Sequence, residues 1–200
     1  MFEAAEQGNA TLVRKQLAEK VDPNSRNPAG ETPLMKAVES GDLQTVVVLI
    51  LRGADERAQD KLGQTPLMHA AASGQAEVVK LLLEMEQLHT NADLQFRLTR
   101  LDSELPLNTD FTKMRFRPDN GLKDNLGRTA IFYAVQAESL ESTLPLIRAF
   151  SSQPRDKTNF TPVMHAVQAK SFDFLKQVAE KDSWSVYHGS FRQPSSFFYW

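Results

Sequence analysis

The sequence predicts an all-α solenoid of about five helix-turn-helix repeats, with about 31 extra residues inserted between the third and fourth. Three observations predict it. Thr32-Pro33-Leu34 recurs about 33 residues later as Thr65-Pro66-Leu67. Thr129-Ala130-Ile131 follows Thr65 after nearly twice that interval, and Thr161-Pro162-Val163 follows after nearly one more. Each threonine is preceded two residues earlier by Gly30, Gly63, Gly127 or Asn159, and each unit opens on an acid or amide, Asn27, Asp60, Asp124 or Asp156. Self-similarity at a period of this length is the signature of stacked repeats, none of which can bury its apolar face alone.

The first repeat, about residues 1–26, is incomplete. Ala4-Ala5, Gly8 and Leu12-Val13-Leu17 fit two helices, while Lys15 and Gln16 stand where later units carry leucines, as expected of a cap with one solvated face. The second, 27–59, ends on Gly53-Ala54-Asp55. The third, 60–84, is the most regular. Thr65 suits the cap position and Pro66 the first helical turn, where its missing N–H is no loss. Ala70-Ala71 let neighbouring helices approach, Gly74 suits a left-handed helix end, and Val78, Val79, Leu82 and Leu83 space as one apolar face. The fourth and fifth, 124–155 and 156–182, are degenerate. Glu138 and Lys170 replace the inner-helix glycine, and Pro145 falls inside an outer helix, which should start late or kink. The C-terminal half is therefore expected to be the less stable.

A repeating unit of this length, with a turn, Thr-Pro-Leu and two short helices, resembles the ankyrin repeat. The resemblance covers most of the chain outside 85–121 and the tail beyond Asp182, and is sharpest from Asp60 to Leu83. The histidine usual after Thr-Pro-Leu is Met35 in the second repeat and Met68 in the third, so the hydrogen bonds it makes between repeats should be missing.

The insertion, 85–121, is long for a structureless connection within a domain. Leu94, Leu98 and Leu101 space as one side of a short helix, and the alternation from Lys113 to Arg117 suggests an extended segment. Two readings stay open: Phe111, Met114 and Phe116 bury against the array, or the aromatics and Lys113, Arg115 and Arg117 meet a partner. The segment 183–200, with Trp184, Tyr187, Phe191 and Phe197-Phe198-Tyr199-Trp200, reads either as a cap on the last repeat or as a docking segment.

Function is bounded mostly by what is missing. The 23 basic and 25 acidic residues give a net charge of −2 with no basic stripe, which argues against nucleic acid as partner. No apolar run reaches the ~20 residues of a spanning helix, so membrane insertion is not expected. The absence of cysteine removes disulfides and thiol chemistry. His69, His89, His165 and His188 form no tight ligand pair, and no phosphate loop, His-Glu-x-x-His or serine elbow is present. His69 reads as a helix-surface or interface residue. No catalytic, cofactor or metal site is expected, and the chain is not read as an enzyme.

The resemblance implies a binding module that meets another folded protein through turn tips and inner helices. Those positions are Glu31, Lys61, Leu62, Gln64, Asn125, Leu126, Arg128 and Phe160 at the tips, and Lys36, Glu39, His69, Ser73 and Tyr133 on inner helices. Leu62, Leu126, Tyr133 and Phe160 are apolar where water is usual and are the preferred hot spots; alternatively, Leu62 and Leu126 stack on each other. An inhibitor or immunity protein that occludes an enzyme's active site is one concrete form, and a tethering scaffold or effector is the alternative. A monomer is expected, cytoplasmic by default, or in a bacterial envelope if a leader has been removed.

Overall fold

Each complete repeat begins where a threonine ends an extended turn and caps the helix behind it. The hydroxyl oxygens of Thr32, Thr65 and Thr161 accept bonds from the backbone N–H of Met35, Met68 and Met164, and proline fills the first helical turn in all three. Thr129 has Ala130 behind it instead; it makes no such bond, and its hydroxyl is buried without a partner.

The computed structural model describes residues 1–88, 90–105, 109–111, 121–149 and 154–181. Among these the chain is all-helical. In order the helices are α1 (Phe2–Glu6), α2 (Ala10–Ala18), α3 (Pro33–Ser40), α4 (Leu43–Leu51), α5 (Pro66–Ala72), α6 (Ala76–Glu84), α7 (Ala92–Leu101), α8 (Ala130–Gln136), α9 (Leu140–Ala149), α10 (Pro162–Gln168) and α11 (Phe172–Lys181). A short 3₁₀ turn, Met85–Gln87, extends α6. The inner helices α1, α3, α5, α8 and α10 stack in that order, and the outer helices α2, α4, α6, α9 and α11 stack beside them. One apolar cluster runs through the stack, from Ala4 and Ala5 through Leu34, Val46, Leu67 and Val79 to Phe132, Phe174 and Val178.

The stack crosses the insertion without interruption, since α5 packs directly on α8 and α6 on α9. A ladder along the turn tips fixes the register. Backbone N–H groups of Lys61, Asn125 and Lys157 donate to the carbonyls of Ala29, Leu62 and Leu126 in the preceding repeat, at 3.1, 2.9 and 2.8 Å. A side-chain ladder runs alongside. Arg26 donates to the carbonyl of Gln59, the Gln59 amide to that of Lys123, and Lys123 to that of Arg155. Much of the bonding between repeats thus lies in the turns, and Met35 serves its own helix, its Sδ accepting from the backbone N–H of Thr32.

The left-handed position after each inner helix keeps its conformation when glycine is gone. Glu138 and Lys170 sit at φ 52° and 61°, beside 78° at Gly41 and 68° at Gly74. A Cβ at Gly41 would also meet the Gln75 side-chain amide, which would have to move to admit it. Pro145 does not delay α9, which begins at Leu140 and carries the proline inside it.

The helix expected in the insertion is α7. Leu94 and Leu98 are fully buried, Leu101 packs partly against the core, and α7 rests on α4 at the back of the array. Just beyond it Asp102, 0% exposed, receives Arg14 Nε at 3.1 Å and Arg52 Nη1 at 2.9 Å, one on each oxygen. Phe111 is buried too, so of the two readings of the insertion this side chain follows the structural one. The extended segment expected over 113–117, with Lys113, Arg115, Phe116 and Arg117, and the aromatic segment 183–200 lie outside the described residues.

Candidate partner-binding surface

A double clamp builds each turn tip. The Asp60 Oδ1 accepts from the backbone N–H groups of Leu62 and Gln64, both at 2.8 Å. Asp124 does the same for Leu126 and Arg128, Asp156 for Thr158 and Phe160, and Asn27 for Ala29 and Glu31. The second oxygen of each aspartate faces the inner helix nine residues on. Asp60 Oδ2 lies 3.2 Å from His69 Nε2, Asp124 Oδ2 accepts from the Tyr133 hydroxyl at 2.6 Å, and Asp156 Oδ2 lies 2.8 Å from His165 Nε2. One carboxylate therefore ties turn to helix in three successive units. Burial alone would raise the pKa of Asp124, but Tyr133 and the Arg128 N–H groups outweigh it and hold it below the usual carboxylate range. Asp156 is held low in the same way by Thr158, His165 and the backbone of its turn. The Tyr133 phenol is raised by burial and by the carboxylate it donates to.

These clamps correct two of the expectations. His69 is 7% exposed, with Nδ1 2.7 Å from Glu39 and Nε2 beside Asp60, so it is a buried tie between the second and third repeats and not a surface residue. Burial lowers the pKa of His69, but carboxylates at both nitrogens outweigh this and raise it above 6.5. Tyr133 is buried too, its ring under the Arg128 guanidinium at 4.7 Å, so it supports the tip and does not offer a free apolar contact. The signal in the sequence was the nine-residue interval itself, present at Asn27–Lys36, Asp60–His69, Asp124–Tyr133 and Asp156–His165.

The structure also gathers groups that no local pattern revealed. Glu31, Glu39 and His69 bring ligand-type atoms within 4.8 Å of one another. Lys36 Nζ sits in that cluster, 2.9 Å from Glu31 and 3.1 Å from Glu39, and supplies a cation of its own. Burial disfavours charge on all three, yet the mutual bonds win, lowering the pKa of Glu31 and Glu39 and raising that of Lys36.

What remains open to a partner is the tip row. Leu62 is 61% exposed and Leu126 56%, in adjacent repeats joined by the backbone ladder, so they do not bury one another by stacking. Phe160 stands at the next tip, about a third exposed, with its ring 5.5 Å from that of His165. Lys61 and Asn125 are exposed beside them and Ser73 is exposed at the other end of α5, while Gln64 and Arg128 are half-buried. The insertion adds an aromatic that spacing had not singled out. Phe96 is 63% exposed on α7, with Arg100 stacked over it, but it lies at the back with the outer helices and shares no surface with the tips.

Residues 1–95 match a family model described as ankyrin repeats (3 copies). No curated protein matches the chain. No helix among the described residues is long and apolar enough to cross a membrane.

Proposed function

From the premise that this chain is an ankyrin-repeat protein, and so a protein–protein interaction module, we propose that it binds one folded partner through its tip row and regulates that partner by covering it. The observation that carries the reading is the pair Leu62 and Leu126, two large apolar side chains held more than half exposed in adjacent, hydrogen-bonded turns. Exposed aliphatics on a rigid support lose little entropy on binding, which favours their use as contacts. A partner occluded at its active site would make this an inhibitor or immunity-type protein. Family membership favours a non-catalytic role.

Affinity capture from source extract tests this with three forms: the intact chain, Leu62→Ser with Leu126→Ser, and Phe96→Ala. A partner held by the intact chain and by Phe96→Ala, but lost from the double variant, is the expected result. Capture lost only from Phe96→Ala would move recognition to the back of the array. The captured protein's activity should fall when this chain is added. Unchanged activity would replace regulation with tethering. Deleting the insertion would be a poorer probe, because it removes the buried Leu94, Leu98 and Asp102.

A further inference from the structure

The free charge along the tips is not evenly distributed. In the second repeat the exposed tip residues are Pro28 and Ala29, and Glu31 and Glu39 gather around Lys36. From the third repeat on the openers Asp60, Asp124 and Asp156 are turned inward and spent on backbone and inner-helix bonds. Lys61, Lys123 and Lys157 remain at the surface. Among the described residues none of the three pairs with a carboxylate; Lys123 reaches only the Arg155 carbonyl, at 3.5 Å.

The backbone explains why the lysines are displayed. The stem of Lys61 crosses Gly30 of the preceding repeat, its Cγ 3.2 Å from where a Cβ would stand. Lys157 crosses Gly127 at the same distance. A side chain at either glycine would press on the lysine's backbone N and Cγ, so the glycines make room for the next repeat's lysine. Leu62 and Leu126 lie between Lys61 and Lys157 along the ladder of turns, and Phe160 shares the last turn with Lys157. The surface from the third to the fifth repeat is therefore an apolar row edged by lysines, with carboxylates at its second-repeat end.

We infer that this row takes an acidic protein segment in extended conformation, with apolar residues on Leu62, Leu126 and Phe160 and carboxylates toward Lys61 and Lys157. The inference rests on the binding function proposed above and names the chemistry of the partner. The geometry favours an extended chain. Inner helices pack with axes ~8–10 Å apart, so the tips recur at about that distance. Three residues of an extended chain of polyproline II type rise ~9 Å and return to the same face, which lets every third residue meet a tip. Nucleic acid fits less well, because its phosphates would leave Leu62 and Leu126 facing a charged backbone.

Selection from a displayed library of random peptides of about 12 residues tests it, with a single-stranded DNA 12-mer of about that length as a second probe. The expected result is enrichment of peptides that combine Asp or Glu with Leu or Phe. The best peptide should bind Lys61→Glu with Lys157→Glu at least about tenfold more weakly, and a copy with its acids changed to lysine should recover binding to that variant. Lys61→Gln with Lys157→Gln, which keeps the stems without charge, should give an intermediate loss. Enrichment of basic or uncharged peptides, no enrichment, or indifference to the lysine variants would each overturn the inference, as would tighter binding of the DNA. If the peptides fail while the Leu62 and Leu126 variant still loses a captured partner, this inference falls and the binding function stands. If that capture fails too, both fall.

Discussion

His69 is where the chemistry of single residues bears most directly on stability. Both ring nitrogens face carboxylates, Glu39 in one repeat and Asp60 in its own, so the imidazolium satisfies both and the neutral ring only one. Its pKa is raised in the folded chain relative to 6.5 unfolded, so the folded state binds more protons above that value. Its contribution is therefore complete below about pH 6.5 and lost as pH rises through the higher folded value. Urea midpoints measured at about pH 6 and about pH 8.5 should show the chain less stable at the higher pH, and His69→Gln should flatten that slope. An equal slope in the variant would mean that another group carries it. The residue scale is also where the sequence was least legible. His69 and Tyr133 stand at inner-helix positions that read as contacts; only the acid nine residues upstream, recurring in the third, fourth and fifth units, identifies them as clamps.

At the scale of elements, helix ends and the docked insertion decide the outcome. Lys170 holds a left-handed φ of 61° at the end of α10, where the first three units use glycine. A side chain in that conformation costs roughly 1–2 kcal/mol. Lys170→Gly should accordingly raise stability by up to about 1 kcal/mol after the flexibility glycine adds to the unfolded chain, read as an upward shift in the melting temperature of the C-terminal repeats. Asp102 is the opposite case. It is fully buried between Arg14, itself 10% exposed, and Arg52, which is a third exposed. Removing it leaves the buried Arg14 charge only the exposed Glu104 carboxylate, 4.0 Å away, and such losses run to about 3 kcal/mol. Arg52→Ala, removing the wetter partner, should cost under about 1 kcal/mol. Chemical denaturation that ranked these two equally would refute the role of Asp102 as the pin of the insertion. The helix α7 was legible because Leu94, Leu98 and Leu101 keep helical spacing. Asp102 was not, because an acid beside a helix end reads as solvated until Arg14 and Arg52, 88 and 50 residues earlier, fold against it.

Across the whole molecule, burial declines toward the C-terminus. The helices α3 and α4 bury Leu34, Met35, Val38, Val46, Leu49 and Ile50, whereas α10 and α11 together bury Ala166, Phe174 and Val178 among their apolar side chains. In a linear array each repeat is stabilised only by its neighbours, so stability should vary along the chain. Hydrogen exchange should find the strongest protection in α3 to α6 and the weakest in α10 and α11. Uniform protection would indicate a single cooperative unit. The architecture itself was readable from fixed offsets, because the capping threonine, the left-handed turn residue and the opening acid or amide recur where each turn needs them. The course of the stack past the insertion was not, since nothing local records that Asn125 bonds to Leu62 or Gln59 to Lys123. Gln59 and Lys123 are neighbours in space but 64 residues apart in sequence, where Arg26 and Gln59, the preceding rung, are 33 residues apart. The intervening chain is about doubled, and loop-closure entropy grows only with the logarithm of length, so the added constraint amounts to about 0.6 kcal/mol. The back of the array, behind the third and fourth repeats, is thus a place where evolution can lengthen this chain at almost no thermodynamic penalty and without disturbing the row of turns on the other side.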